Sequence, residues 1–315
     1  MSHAVIRREE FLTASLDLGT LSIDLADYAT TGLRIVTVGP SGIGKTNAGL
    51  LIAEQLVAQG WVAVLMDPEG EIEGLYPETV LRNEAKLESH LRGRHHKFLV
   101  VPVRNADEFV HYGRIVMRVV DEERKPVFLM VDEGQMFSAS RRRKESIGEA
   151  SDLANDLVER GRKRALDLFF TAHRYSNSLH RSVFTNKNLT FVGRQEDPTA
   201  WSALAPQFRG SQIGFPELAA LAPGEFFSFS RRGVEKVAMP MAAALKAVAM
   251  AAPKVRPALP ATFAEWDTAM RAIPTDRLRA LSAPVVGLLS AIVGMPGRQL
   301  FGGGRALRDE LEARG

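Results

Sequence analysis

The sequence predicts an α/β fold: a mainly parallel sheet with helices on both faces and an antiparallel hairpin at one edge. Three observations carry this. Short apolar or β-branched runs recur at 34–38, 61–66, 98–103, 127–131, 166–171 and 189–192. Segments of helical spacing separate most of them, so the chain reads as consecutive βαβ units. A glycine-rich octet, Gly39-Pro40-Ser41-Gly42-Ile43-Gly44-Lys45-Thr46, stands between the first of these strands and an Ala/Leu-rich helix.

The elements follow in order. Residues 21–25, Leu21-Ser22-Ile23-Asp24-Leu25, alternate apolar and polar, as a half-exposed strand does. Residues 1–20 carry no clear pattern. The strand 34–38 leads into the octet, and the helix at 48–59 stops at Gln59-Gly60, a C-terminal signal. The run 61–66 is continuously apolar, as expected of a strand buried on both faces, and ends in Asp67-Pro68-Glu69-Gly70-Glu71. A charged helix is expected over 78–97, then the strand 98–103, a helix over 106–121, and the strand 127–131 ending in Asp132-Glu133. A basic loop at 138–144 precedes a helix at 145–164. After the strands 166–171 and 189–192, two runs at 226–229 and 234–239 flank Arg231-Arg232-Gly233 and read as a hairpin.

Three regions are expected: a strand-containing segment over 1–30, the α/β core over 31–245, and a linker with a small helical tail over 246–315. In the tail, 280–297 is uncharged over 18 residues but holds Pro284, Gly287, Gly294 and Pro296. It reads as a packing or partner-binding helical hairpin, and no membrane span is expected.

The 315 residues are 45% hydrophobic and 24% charged, ordinary for a globular chain. There is no cysteine, which excludes disulfides, thiolate zinc sites and cysteine nucleophiles and suits a reducing, cytoplasmic compartment. The N-terminus lacks the apolar run of a secretory signal. A net charge of +3 does not by itself point to nucleic acid.

The octet has the spacing G-x-x-x-x-G-K-T, and strand, glycine loop and helix are the context that a phosphate-binding loop requires. Backbone N–H groups of Gly39, Pro40's neighbours, Ser41, Gly42, Ile43 and Gly44, with Asn47 beyond, would face phosphates at a helix N-terminus. Lys45 would reach the β- and γ-phosphates of a nucleotide and Thr46 would ligate Mg²⁺. Asp132 and Glu133 end an apolar strand, where ligands of parallel sheets sit. Asp132 would hold Mg²⁺ and Glu133 would polarise the attacking water. Alone, such a pair is as often a solvated turn; about 90 residues after a phosphate loop it reads as part of the site. No N-K-x-D-like guanine reader is visible; ATP is favoured partly by that absence and mainly by the family resemblance that follows.

Several pieces together resemble the HerA/FtsK group of DNA-translocating ATPases, HerA-like proteins most closely. Met66-Asp67-Pro68-Glu69-Gly70-Glu71 is similar to the family's D-P-H-G-E, and Arg160-Gly161-Arg162-Lys163 to its R-E-G-R-K. Leu168-Phe169-Phe170-Thr171-Ala172-His173-Arg174 resembles L-x-L-x-T-Q-R-P, and Leu221-Ala222-Pro223-Gly224-Glu225 the late L-x-P-G-E. The resemblance covers residues 20–240. It implies a RecA-like core, ATP and Mg²⁺ as cofactors, a ring that is expected to be hexameric, and motion along double-stranded DNA with a separate effector such as a nuclease.

It also implies roles. Asp67 and Glu71 would sit at the nucleotide, His173 would replace the family's sensor glutamine, and Arg162, or second Arg160, would reach a neighbouring subunit's phosphates. The basic block Arg141-Arg142-Arg143-Lys144 would grip DNA phosphates nonspecifically, although such runs are often solvated loops. The departures are Glu69 for histidine, His173 for glutamine and Tyr175 for proline. Only 38 residues precede Gly39, fewer than the family's β-barrel needs, so the partner docking of the family does not carry over to this chain. Two rival readings remain: a genome-packaging or conjugative DNA pump, and an ATPase ring that switches or scaffolds an effector without translocating.

Overall fold

The computed structural model describes residues 15–137, 145–161, 165–175, 179 and 181–251. A short ribbon comes first: β1 (Ser15–Asp17) pairs antiparallel with β2 (Ser22–Asp24). Then follow β3 (Arg34–Val38), α1 (Lys45–Ala58), β4 (Val62–Asp67), α2 (Glu84–Gly93), β5 (Phe98–Pro102) and α3 (Ala106–Glu123). The second half holds β6 (Val127–Val131), α4 (Glu145–Arg160), β7 (Leu166–Ala172), α5 (Arg181–Asn186) and β8 (Leu189–Val192). The described chain closes with α6 (Pro198–Leu204), α7 (Phe215–Ala219), β9 (Glu225–Ser230), β10 (Gly233–Ala238) and α8 (Ala243–Ala251).

The main sheet has eight strands in the order β10-β9-β8-β3-β7-β6-β4-β5. From β8 to β5 every pairing is parallel; β9 and β10 join antiparallel at one edge. The inner strands are buried at every position because helices cover both faces, which is why they read as unbroken apolar runs. One face carries α1 and the β1–β2 ribbon, with Leu16, Ile23, Leu50, Phe128 and Phe191 in its core. The other carries α2, α3 and α4, with Leu87, Phe109, Val116, Leu153, Leu157 and Phe170.

α1 lies very close to the sheet. A Cβ on its Gly49 would sit 2.6 Å from Met130 Sδ and 2.9 Å from a Phe169 ring carbon, so only glycine permits this approach. At the opposite end of the strands, buried Asp167 accepts hydrogen bonds from Leu33 N–H at 2.7 Å and Trp61 Nε1 at 2.8 Å. One carboxylate thus ties the entries of β3, β4 and β7 together.

Three expectations change. The strand at 21–25 stands outside the main sheet, and its partner β1 lies in the segment that showed no pattern. The helix expected over 78–97 is confined to 84–93, because Asn83 caps it by accepting from Lys86 N–H and the chain before it bridges Val80 to Val100. The short helices α5 to α7 were not foreseen. The tail at 280–297 lies outside the described residues, and among the described residues no helix is long and apolar enough to cross a membrane.

Candidate nucleotide site

Parallel strands bring their carboxyl ends to one edge, and there the predicted residues meet. Gly39 follows β3, Asp67 ends β4, Asp132 follows β6 and His173 follows β7. Backbone bonds lock this edge: Gly39 N–H to Ala172 O at 3.1 Å, Asp132 N–H to Met66 O at 3.2 Å and Gly193 N–H to Val38 O at 2.8 Å.

The loop 39–44 turns through glycine conformations. Gly44, which precedes α1, has φ 100°, a left-handed backbone that suits glycine. Gly224 N–H donates to Ile43 O at 2.9 Å, so the late Pro223-Gly224-Glu225 turn braces the loop from behind. Lys45 is only 5% exposed, and its Nζ donates to Pro40 O at 3.1 Å. Burial lowers its pKa, opposed by the charges of Glu133, Asp132 and Glu71. Ser41 and Gly42 are exposed at the loop's tip. The Asn47 side chain faces away: it donates to Pro240 O at 3.0 Å and accepts from Ala242 N–H at 2.8 Å. Only its backbone remains for the phosphate cradle.

Asp132 is buried and accepts Thr46 Oγ1 at 3.0 Å and Thr171 Oγ1 at 2.6 Å. Burial pushes its carboxyl pKa up, against these two hydrogen bonds. Thr171 Oγ1 also accepts Glu133 N–H at 2.8 Å, so one hydroxyl fixes both acids. Glu133 has φ 47°, a left-handed conformation costly for a residue with a side chain and held here by its surroundings. Its Oε2 pairs with His173 Nε2 at 2.6 Å and accepts from Gln135 Nε2.

Asp67 behaves differently from the expectation. Its carboxylate accepts Gly70 N–H at 2.9 Å and Ile72 and Glu73 N–H at 2.8 Å each. It therefore closes its own loop, and Glu71 is the member left exposed toward the site. Burial and then the charges of Asp132, Asp67, Glu133 and Glu69 raise the Glu71 pKa.

The donor set fits a metal–triphosphate group. Thr46 and Asp132 put a hydroxyl and a carboxylate in contact beside one lysine, in a field dominated by carboxylates. Among the described residues no three His, Asp or Glu side chains converge on a metal by themselves.

Arg160 ends α4, which runs from the carboxyl end of β6 to the amino end of β7. It lies at the far end of the sheet from Lys45 and pairs with Asp156 at 3.7 Å. Arg162 and the block Arg141-Arg142-Arg143-Lys144 lie outside the described residues. Thr171 and Gln135 were missed by sequence reasoning. Thr171 was legible in principle, as a polar residue within a run buried on both faces; Gln135 carried no signal.

No described protein family matches the sequence, and no curated protein matches it. Solved structures do. The genome packaging NTPase B204 from Sulfolobus turreted icosahedral virus 2, in complex with AMPPCP, aligns with a TM-score of 0.51 and 14% identity, over 67% of this chain and 100% of that one. The chain has the fold of a P-loop NTPase. The conjugation coupling protein TcpA of pCW3, with ATPγS, shares it at TM-score 0.51 and 14% identity, over 72% of this chain and 64% of that one. VirB4 of Thermoanaerobacter pseudethanolicus matches at 0.50 and 11%, over 66% and 89%. The shared fold is of the kind that the motif resemblance implies.

Proposed function

We propose that this chain is an ATP-driven DNA motor of the HerA/FtsK type, working as a homo-oligomeric ring on double-stranded DNA in the cytoplasm. The observation that carries the reading is the contact of Thr46 and Asp132 beside Lys45, with Glu133 held at the same strand edge. Lys45 and the 39–44 backbone bind and orient the phosphates. Thr46 and Asp132 would hold Mg²⁺, which when bound neutralises charge on the phosphates. Glu133 accepts the proton of the attacking water: Oε2 is taken by His173 and Gln135, leaving Oε1 for the water. His173 orients that carboxylate.

Arg160 is too far from Lys45 in its own chain to meet the same nucleotide, so an arginine on this helix end would act on a neighbouring copy. That supports a ring, as does the family resemblance; hexamer and effector nuclease follow from the resemblance. The fold shared with a genome packaging NTPase and a conjugation coupling protein favours a second reading, a DNA pump serving a capsid or a transfer channel.

The test is ATP turnover with and without duplex DNA. Lys45→Ala is expected to lose ATP binding, and Glu133→Gln to bind ATP with turnover reduced at least about 100-fold. DNA is expected to stimulate the wild type less as salt rises. Turnover indifferent to DNA at every salt concentration would sink the motor reading. Stimulation by DNA that requires a capsid or membrane component would select the pump.

A further inference from the structure

The glycine loop and the acidic edge provide for phosphates, metal and water. A nucleoside needs a wall of its own, and the strand order fixes its side. Asp132 and Glu133 follow β6 and His173 follows β7, all on one flank of β3, where the γ-phosphate and its water belong. A nucleotide lying along the loop therefore carries its nucleoside to the other flank of β3, toward β8, β9 and β10. The residues after β10 on that flank, Met239-Pro240-Met241-Ala242, are bonded into the frame of the loop.

Gly224 makes the first link. Its N–H donates to Ile43 O at 2.9 Å, and its O accepts from Met239 N–H at 2.9 Å. A Cβ on Gly44 would meet Gly224 N at 3.5 Å and Gly224 Cα at 3.6 Å, so two residues without side chains face each other here. Asn47 makes the second link. It holds the segment on both sides of Met241, donating to Pro240 O at 3.0 Å and accepting from Ala242 N–H at 2.8 Å. Asn47 stands in the first turn of α1, next to the N–H groups that cradle the α- and β-phosphates in such loops. The backbone of Met241 is thus about one side chain's length from that cradle. Met239 and Ala242 are buried, whereas Met241 is 53% exposed. A lone apolar side chain at a surface is ordinary. This one is set apart because a carboxamide of the loop's own helix fixes the backbone before and after it. The thioether chain is adaptable and polarisable, which suits contact with a flat ring.

We propose that Met241 is the platform for the base of the bound nucleotide, with the gap at Gly44 and Gly224 leaving room for the ribose. The inference rests on the nucleotide reading of the loop and adds a nucleoside subsite to it. The backbone groups on either side of Met241 are spent on Asn47, and those of Ala243 and Ala244 on Glu54. Contact with the face of the base therefore supplies the affinity. A purine offers the larger face, so the subsite prefers purine to pyrimidine nucleotides.

The experiment uses the full chain with Mg²⁺. AMPPNP and inorganic tripolyphosphate are titrated by calorimetry into wild type, Met241→Ala and Met241→Phe, and KM and kcat are measured for ATP and CTP. The exposed position lets both variants fold. Met241→Ala is expected to bind AMPPNP about 10-fold more weakly, as loss of an apolar contact implies, and tripolyphosphate as wild type does. Its KM for ATP should rise by a similar factor with kcat unchanged, because Met241 reaches no reacting atom. Its preference for ATP over CTP should shrink. Met241→Phe should restore AMPPNP binding, since an aromatic ring also stacks on a base. An alanine variant that binds AMPPNP as wild type does overturns the subsite. So does one that loses tripolyphosphate to the same degree, which would make Met241 a support of the loop. In both cases the nucleotide reading stands. A wild type that binds neither ligand sinks that reading and the subsite with it.

Discussion

Thr171→Val tests the architecture of the acidic edge most directly. Valine keeps the shape of the fully buried threonine and removes only its hydroxyl. Two bonds go with it: the 2.6 Å donation to Asp132 and the 2.8 Å bond from Glu133 N–H. A hydrogen bond to a charged group contributes about 1.5–3 kcal/mol and a neutral one about 1 kcal/mol. The loss should total about 2.5–4 kcal/mol, read as a lower urea midpoint with an unchanged slope. Glu133 N–H would keep only its 3.2 Å bond to Asp132 Oδ1, so its left-handed backbone is held less firmly and its carboxylate is placed less well. Turnover should fall about 10- to 100-fold, one decade per 1.4 kcal/mol, with KM for ATP nearly constant since Thr171 does not touch the phosphate loop. Thr171→Ser, which restores the hydroxyl, should recover most of both. A valine variant within about 0.5 kcal/mol of wild type and with wild-type turnover would refute the claim that this hydroxyl holds both acids.

The remaining predictions concern neighbouring residues. His173→Gln keeps a donor to Glu133 and should stay within a few-fold of wild-type turnover, while His173→Ala should lose about 10-fold; equal activity of the two in a steady-state assay would remove His173 from the site. Gly49→Ala gains helix propensity but collides with Met130 and Phe169, so a net loss of about 1 kcal/mol is expected in denaturant melts. Asp132 has a raised pKa, so above the ordinary aspartate value of 3.8 the folded chain keeps a proton that the unfolded chain has released. Stability of the nucleotide-free protein should therefore fall as pH rises through that window, and Asp132→Asn should flatten the trend in pH-resolved thermal melts while abolishing turnover. A steeper trend in the variant would count against it.

Much of this was legible because parallel sheets force it. Once 34–38, 61–66, 127–131 and 166–171 are read as buried parallel strands, the residues after each must share one edge, and Gly39, Asp67, Asp132 and His173 do. The strand order was not readable, since β7 lies between β3 and β6 in space but follows both in sequence. Asp67 shows a different limit. Its type and place matched a motif, yet its carboxylate is consumed by three backbone N–H groups, a geometry that no spacing reveals. β1 was invisible because three residues pairing with three others leave almost no periodicity. The short helices α5 to α7 were missed for the same reason: one or two turns hold too few apolar positions to mark a face.

The helix that begins with Lys45 is also a handle. Its Asn47 grips the backbone at Pro240 and Ala242, and its Glu54 accepts the first N–H groups of α8, Ala243 at 2.7 Å and Ala244 at 2.9 Å. The carboxylate at the start of α8 also favours that helix's positive end. The helix that carries the glycine loop and the last helix described are thus bonded directly to each other. Glu54→Ala removes both acceptors and is expected to loosen α8 from α1 while leaving the nucleotide loop in place.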